Sequence, residues 1–249
     1  MKSLPIRPIE QMVFTNATFT RLSYAQAIAQ VPGMGTPNAD QLAKVQAHAP
    51  KGINYTADRF VSVPIMASHN LMSYSNGVWD TDSLEAMARQ FPGKPAQLNH
   101  NWDDVQDSIG LIYDAFLLRS MDAPTHILNA ADFFDINRQI VAKDGFIGLI
   151  IMAAFPIESA AVDAIAQSRA RGISTGGLTS GEYGCPLCEL SFEDANCPHI
   201  PPHPMLLHLY GNDPDMNFAP YYVRQGFHTG IEVSLVVSGN LPGAEVLRG

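Results

Sequence analysis

Two groups of residues in this chain are of types that do chemistry. Cys185-Pro186-Leu187-Cys188 is a C-x₂-C knuckle, and Cys197-Pro198-His199 follows it with a third thiol and an imidazole. Three thiolates and one imidazole are the soft and borderline donors that tetrahedral Zn²⁺ takes. Cys185, Cys188, Cys197 and His199 fill all four positions and leave none for water, so the expected role is structural and not catalytic. His203 and His208 are alternatives for the fourth ligand. The chain has 3 cysteines, all between 185 and 197, and an odd, crowded trio is not a secreted disulfide framework.

The second group is spread over three segments. Gly93-Lys94-Pro95-Ala96-Gln97-Leu98-Asn99-His100 leads into Ile109-Gly110-Leu111-Ile112; Gly172-Ile173-Ser174-Thr175-Gly176-Gly177 comes directly after a helical stretch; Ile231-Glu232-Val233-Ser234-Leu235-Val236 is followed by Pro242-Gly243-Ala244. Taken singly, each has an ordinary structural use. A histidine near a strand end, a serine beside glycines and a glutamate on the wet face of a strand are all common.

Their order and wording resemble the bacteriophage prohead (capsid maturation) serine proteases, whose fold is similar to that of herpesvirus assemblin. The resemblance runs from residues 60 to 247 through Gly93-Lys94-Pro95, Leu98-Asn99-His100, Ile109-Gly110-Leu111-Ile112, Ile173-Ser174-Thr175-Gly176, Glu232 to Val236 and Pro242-Gly243-Ala244. The cysteine-rich insertion looks like that of one subset of the family. The resemblance implies that Ser174 is a nucleophile, His100 its general base and Glu232 the third member. A serine hydroxyl needs such a base to attack a carbonyl, and an acidic partner fixes the tautomer of the base. Thr175 and Gly176, with Gly177, are candidates to turn backbone N–H groups toward an oxyanion. Asp103 and Asp104 are rivals for the third role, His69 for the base, and Ser180 and Ser234 for the nucleophile. Ser234 stands two residues from Glu232, so on a strand both point to one face.

Positioning these groups takes several elements. Phe60 to Ala67 reads as a strand, with Pro64 assigning it to an edge or a bulge. Asp80-Thr81-Asp82 offers N-caps for a helix from about 82 to 91, with Leu84, Met87, Ala88 and Phe91 as its buried stripe. Ile109 to Leu118 and Phe146 to Phe155 are apolar enough for central strands, and Pro156-Ile157-Glu158-Ser159 opens a helix reaching about Arg171. Ile173 to Ser180 and Ile231 to Val237 complete five strands. The order predicts an α+β fold, a largely antiparallel β-barrel or sheet flanked by helices. A zinc-stabilised insertion over 181–229 lies within a protease-like domain, 59–249. Residues 1–58, with short helices at Tyr24–Gln30 and Ala39–Ala47, form an N-terminal extension.

Composition bounds the partners. The 249 residues carry a net charge of −9 without a Lys/Arg cluster, which argues against a nucleic-acid or anionic-membrane surface. Only 16% are charged, against a usual share of about 25%, so part of the surface is expected to be covered by protein. The first residues lack the apolar stretch of a signal peptide, and the longest apolar run is too short to span a bilayer. The resemblance to the prohead proteases implies a serine endopeptidase of the host cytoplasm, inside the assembling prohead. The substrates it implies are the scaffold, the major capsid protein precursor and the chain itself, with other virion proteins and a homo-oligomer as further expected partners. The alternative is a non-catalytic, protease-like part of the virion. A metalloprotease is disfavoured, since no His-Glu-x-x-His occurs.

Overall fold

The computed structural model describes residues 22–49, 55–74, 77–100, 110–128, 134–180, 183–184 and 222–247. In chain order the elements are α1 (Tyr24–Ile28), α2 (Ala39–His48), β1 (Phe60–His69), β2 (Gly77–Trp79), α3 (Thr81–Gln90), β3 (Pro95–Leu98) and β4 (Gly110–Ser120). They continue with α4 (Thr125–Leu128), α5 (Phe134–Asp144), β5 (Phe146–Pro156), α6 (Ala160–Ala166), β6 (Gly172–Thr179), β7 (Tyr183–Gly184), β8 (Tyr222–Arg224) and β9 (Phe227–Val236).

The protein is mixed α/β, built on a curled six-stranded sheet of order β1-β5-β4-β3-β9-β6. Every neighbouring pair is antiparallel except β3 with β9. β5 explains why the sheet is two-sided. Its run Phe146-Ile147-Gly148-Leu149-Ile150-Ile151-Met152-Ala153-Ala154-Phe155 is buried on both faces. Ile147, Leu149, Ile151 and Phe155 join α3 and α6 in one core, while Phe146, Ile150 and Met152 join α1, α2 and α4 in another. Each such side chain contributes about 1.5–3 kcal/mol by leaving water.

Local sequence sets the boundaries of the helices. Asp80 caps α3 by accepting the Ser83 N–H at 2.8 Å, and Leu84, Met87 and Phe91 are fully buried. Ser159 caps α6, which ends at Ala166, earlier than the helix expected to reach Arg171. The last turn unwinds through Ser168, whose φ of 55° lies in the left-handed region. α5, β3 and the short strands β2, β7 and β8 are not legible as separate periodic runs.

β1 is an edge strand, as Pro64 suggested; Pro64 itself is in regular register with Met152, and the strand bulges further on, between Met66 and Ser68. Its outer edge is paired by the two ends of the described chain. Gly35 bridges Ser62, while Glu245 exchanges two backbone hydrogen bonds with Met66 at 2.9 and 3.0 Å. The helices α1 and α2 fall in the stretch read as an extension, and Ala27 and Val45 are part of the second core. Among the described residues no helix is long and apolar enough to cross a membrane.

Candidate active site

Strands β3, β9 and β6 lie side by side, and their period of two sorts the residues by face. Ala96, Leu98, Val233, Leu235 and Ile173 turn into the core. The opposite face carries Gln97, Ser234 and Ser174 in one lateral row, because Gln97 is in register with Ser234 and Ser234 with Ser174. Glu232 is next along β9, in register with Gly176. A Cβ on Gly176 would stand 2.5 Å from Glu232 Oε1, so glycine there makes room for the carboxylate.

His100 reaches this face from just beyond β3. Asn99 and His100 both have φ of 54°, two consecutive non-glycine residues in the left-handed region. Such residues cost about 1–3 kcal/mol each and persist only where the surroundings hold them. Here Asn99 N–H donates to Leu235 O at 2.9 Å and His100 N–H to Ser234 Oγ at 3.2 Å. The His100 ring then donates from Nδ1 to Glu232 Oε1 at 2.9 Å. The imidazole side chain is 44% exposed and the carboxylate 2%. A buried carboxylate on Nδ1–H holds the ring in one tautomer and leaves Nε2 to exchange a proton with a substrate or a hydroxyl.

Of the hydroxyls, Ser174 is half-buried, whereas Ser234 is fully buried and donates to Glu232 Oε2 at 2.5 Å. Ser174 and His100 share this face but are not hydrogen-bonded to each other. Ser180 is exposed beyond the end of β6. Thr175 faces away from Ser174 and, with Trp79, Thr179, Arg224 and Gln225, lines a cavity of about 270 Å³.

His69 is placed differently. It is wholly buried at the end of β1, where Nε2–H donates to Pro242 O at 2.6 Å and Nδ1 accepts from Leu71 N–H at 3.1 Å. Burial, the main cause, pushes its pKa down from 6.5 to about 4, so the ring is neutral and both nitrogens are occupied by backbone. It has no exposed face to offer a substrate.

Gln97 is a site residue that sequence reasoning passed over. It is 2% exposed, and its Oε1 is buried without a hydrogen-bond partner. The only signal was its position one residue before Leu98-Asn99-His100 on a strand too short to show alternation.

The expected zinc ligands Cys185, Cys188, Cys197 and His199 lie outside the described residues, as do His203, His208, Asp103 and Asp104. Among the described residues no cluster of three or more His, Cys, Asp or Glu is gathered for a metal. The described ends of the cysteine-bearing stretch are brought together, since β7 pairs antiparallel with β8, Gly184 opposite Val223. No protein-family model matches the chain, and neither the curated proteins nor the solved structures contain a match.

Proposed function

We propose that this protein is a serine endopeptidase of viral capsid maturation, of the assemblin-like prohead protease kind. It would cut scaffold and capsid precursor, and itself, inside the assembling prohead. The observation that supports this most directly is the 2.9 Å contact of His100 Nδ1 with the buried Glu232 carboxylate, on the sheet face that also carries Ser174.

In this reading Ser174 Oγ attacks the scissile carbonyl while His100 Nε2 takes its proton. Glu232 stabilises the imidazolium that forms, and His100 then returns the proton to the leaving amine. Backbone N–H groups near Thr175 and Gly176 are the proposed oxyanion donors. Cys185, Cys188, Cys197 and His199 form a suitable donor set for one structural Zn²⁺, and the pairing of β7 with β8 would close the base of the loop that holds it. Binding there would add on the order of 10 kcal/mol to the order of that loop. Neither nucleic acid nor membrane is a proposed partner.

The test is to incubate the full chain with its capsid precursor and follow the products by mass spectrometry, comparing it with Ser174→Ala. Cleavage by the wild-type chain alone is expected. Equal processing by Ser174→Ala would overturn the reading, and no processing by either would favour the non-catalytic virion part.

A further inference from the structure

The triad uses three side chains of this face and leaves the buried hydroxyl of Ser234 without a role. Ser234 has no exposed surface and stands between Gln97 of β3 and Ser174 of β6. Its Oγ–H donates to Glu232 Oε2 at 2.5 Å, and Ser234 Oγ itself accepts the N–H of His100 at 3.2 Å. The carboxylate is thereby bonded at both oxygens, by the imidazole at Oε1 and by the hydroxyl at Oε2. A carboxylate bonded at one oxygen still rotates about its terminal torsion, whereas two bonds fix its plane.

The turn that carries His100 has its own need. Its two left-handed residues are held to β9 by Asn99 N–H on a backbone carbonyl and by His100 N–H on Ser234. Only the second anchor is made by a side chain. One hydroxyl therefore touches both partners of the His–Glu pair, the ring's backbone and the ring's acceptor.

We infer that Ser234 is a positioning residue: it locks the Glu232 carboxylate and the left-handed turn of His100 together, so that Nε2 is presented toward Ser174. This rests on reading His100 as a base. The same bonds remove Ser234 as a nucleophile, because its proton is committed to a carboxylate and its oxygen is out of reach of a substrate.

The experiment treats the full chain with an alkyl fluorophosphonate and follows His100 by NMR in parallel. At an activated serine the probe forms an Oγ–P bond and loses fluoride, the serine proton passing to the base. In Ser234→Ala, labelling of Ser174 is expected to slow about 10²-fold, in the maximal rate and not in probe affinity, as misplacement of a catalytic group does. Ser234→Thr, which keeps the hydroxyl, should restore most of the rate. The Nδ1–H resonance of His100, protected by Glu232 in the wild type, should broaden or vanish in Ser234→Ala and return in Ser234→Thr. Should Ser234→Ala not fold, Ser234→Cys, with a weaker donor of similar shape, carries the same comparison. Labelling at the wild-type rate, or an unchanged Nδ1–H resonance, would overturn the inference. If the wild-type chain itself fails to label at Ser174, the hydrolase reading falls, while the resonance in Ser234→Ala still decides the role of Ser234.

Discussion

His69 and His100 stand at the ends of two strands of one sheet, and their surroundings are opposite. His69 is sealed in the core with a backbone group on each nitrogen and a pKa pushed down to about 4. His100 is nearly half exposed, stands on a disfavoured turn, and is held by a carboxylate on one nitrogen only. A ring whose two nitrogens are both answered by backbone can stabilise a fold but cannot move a proton for a substrate. A ring answered on one side by an acid can do so, at the cost of strain elsewhere. The residue type is the same in the two places; burial and partner decide what it does.

That contrast is broken most sharply by exchanging the losses. Ser174→Ala should lower fluorophosphonate labelling and self-cleavage by about 10⁴-fold or more, while urea unfolding shifts by no more than about 0.5 kcal/mol; His100→Ala should lower them as far, with a further loss of about 1–3 kcal/mol because the buried Glu232 carboxylate loses its partner at Oε1. His69→Ala should do the reverse of Ser174→Ala. It orphans Leu71 N–H and Pro242 C=O in the core, at a loss of about 3 kcal/mol, with labelling per folded molecule unchanged. A catalytic loss from His69→Ala without destabilisation would undo the comparison. Glu232→Gln comes next. It preserves shape but removes the charge that faces the imidazole, and labelling should fall by up to about 10⁴-fold.

The sequence made some of this readable and hid the rest, for physical reasons. β5 was legible because a strand buried on both faces reads as a continuous apolar run, and α3 because Asp80 and a 3.6-period stripe agree. His100, Ser174 and Glu232 were singled out by motif order, yet nothing local placed them together. That His100 contacts Glu232 on the face that also carries Ser174 depends on β3 lying parallel to β9, a pairing of segments more than a hundred residues apart, and on β6 pairing with β9, for which no short-range signal exists. The sequence pattern makes Gly176 an oxyanion candidate, and only the register reveals the room it leaves opposite Glu232. The left-handed pair at Asn99 and His100 was also invisible, since asparagine tolerates that conformation but does not require it.

The burial of His69 also predicts a response to acid. With the folded-state pKa of His69 near 4 against an ordinary 6.5, the unfolded chain binds its proton first as pH falls. Its contribution to stability is therefore whole above pH 6.5 and is lost progressively down to about pH 4. The slope approaches about 1.4 kcal/mol per pH unit inside that window. Urea midpoints of the wild type measured across it should fall more steeply than those of His69→Gln, whose amide keeps the bond to Pro242 without titrating. Parallel curves would mean that the core admits the charged ring.

The smallest expected effect separates two ways of burying a polar group. His69 is fully satisfied, whereas Gln97 lies 2% exposed beside Ser234 with its carbonyl oxygen unpartnered. An unanswered buried acceptor costs about 1–3 kcal/mol, and replacing it by an apolar group of like shape removes that cost. Gln97→Met should therefore raise the urea midpoint, worth about 1 kcal/mol, with an unchanged denaturant slope. A lower midpoint would show that the amide is bonded within the Gln97, Ser234 and Ser174 row after all. Slower labelling in a more stable variant would instead mark a folding cost retained for the chemistry of this face.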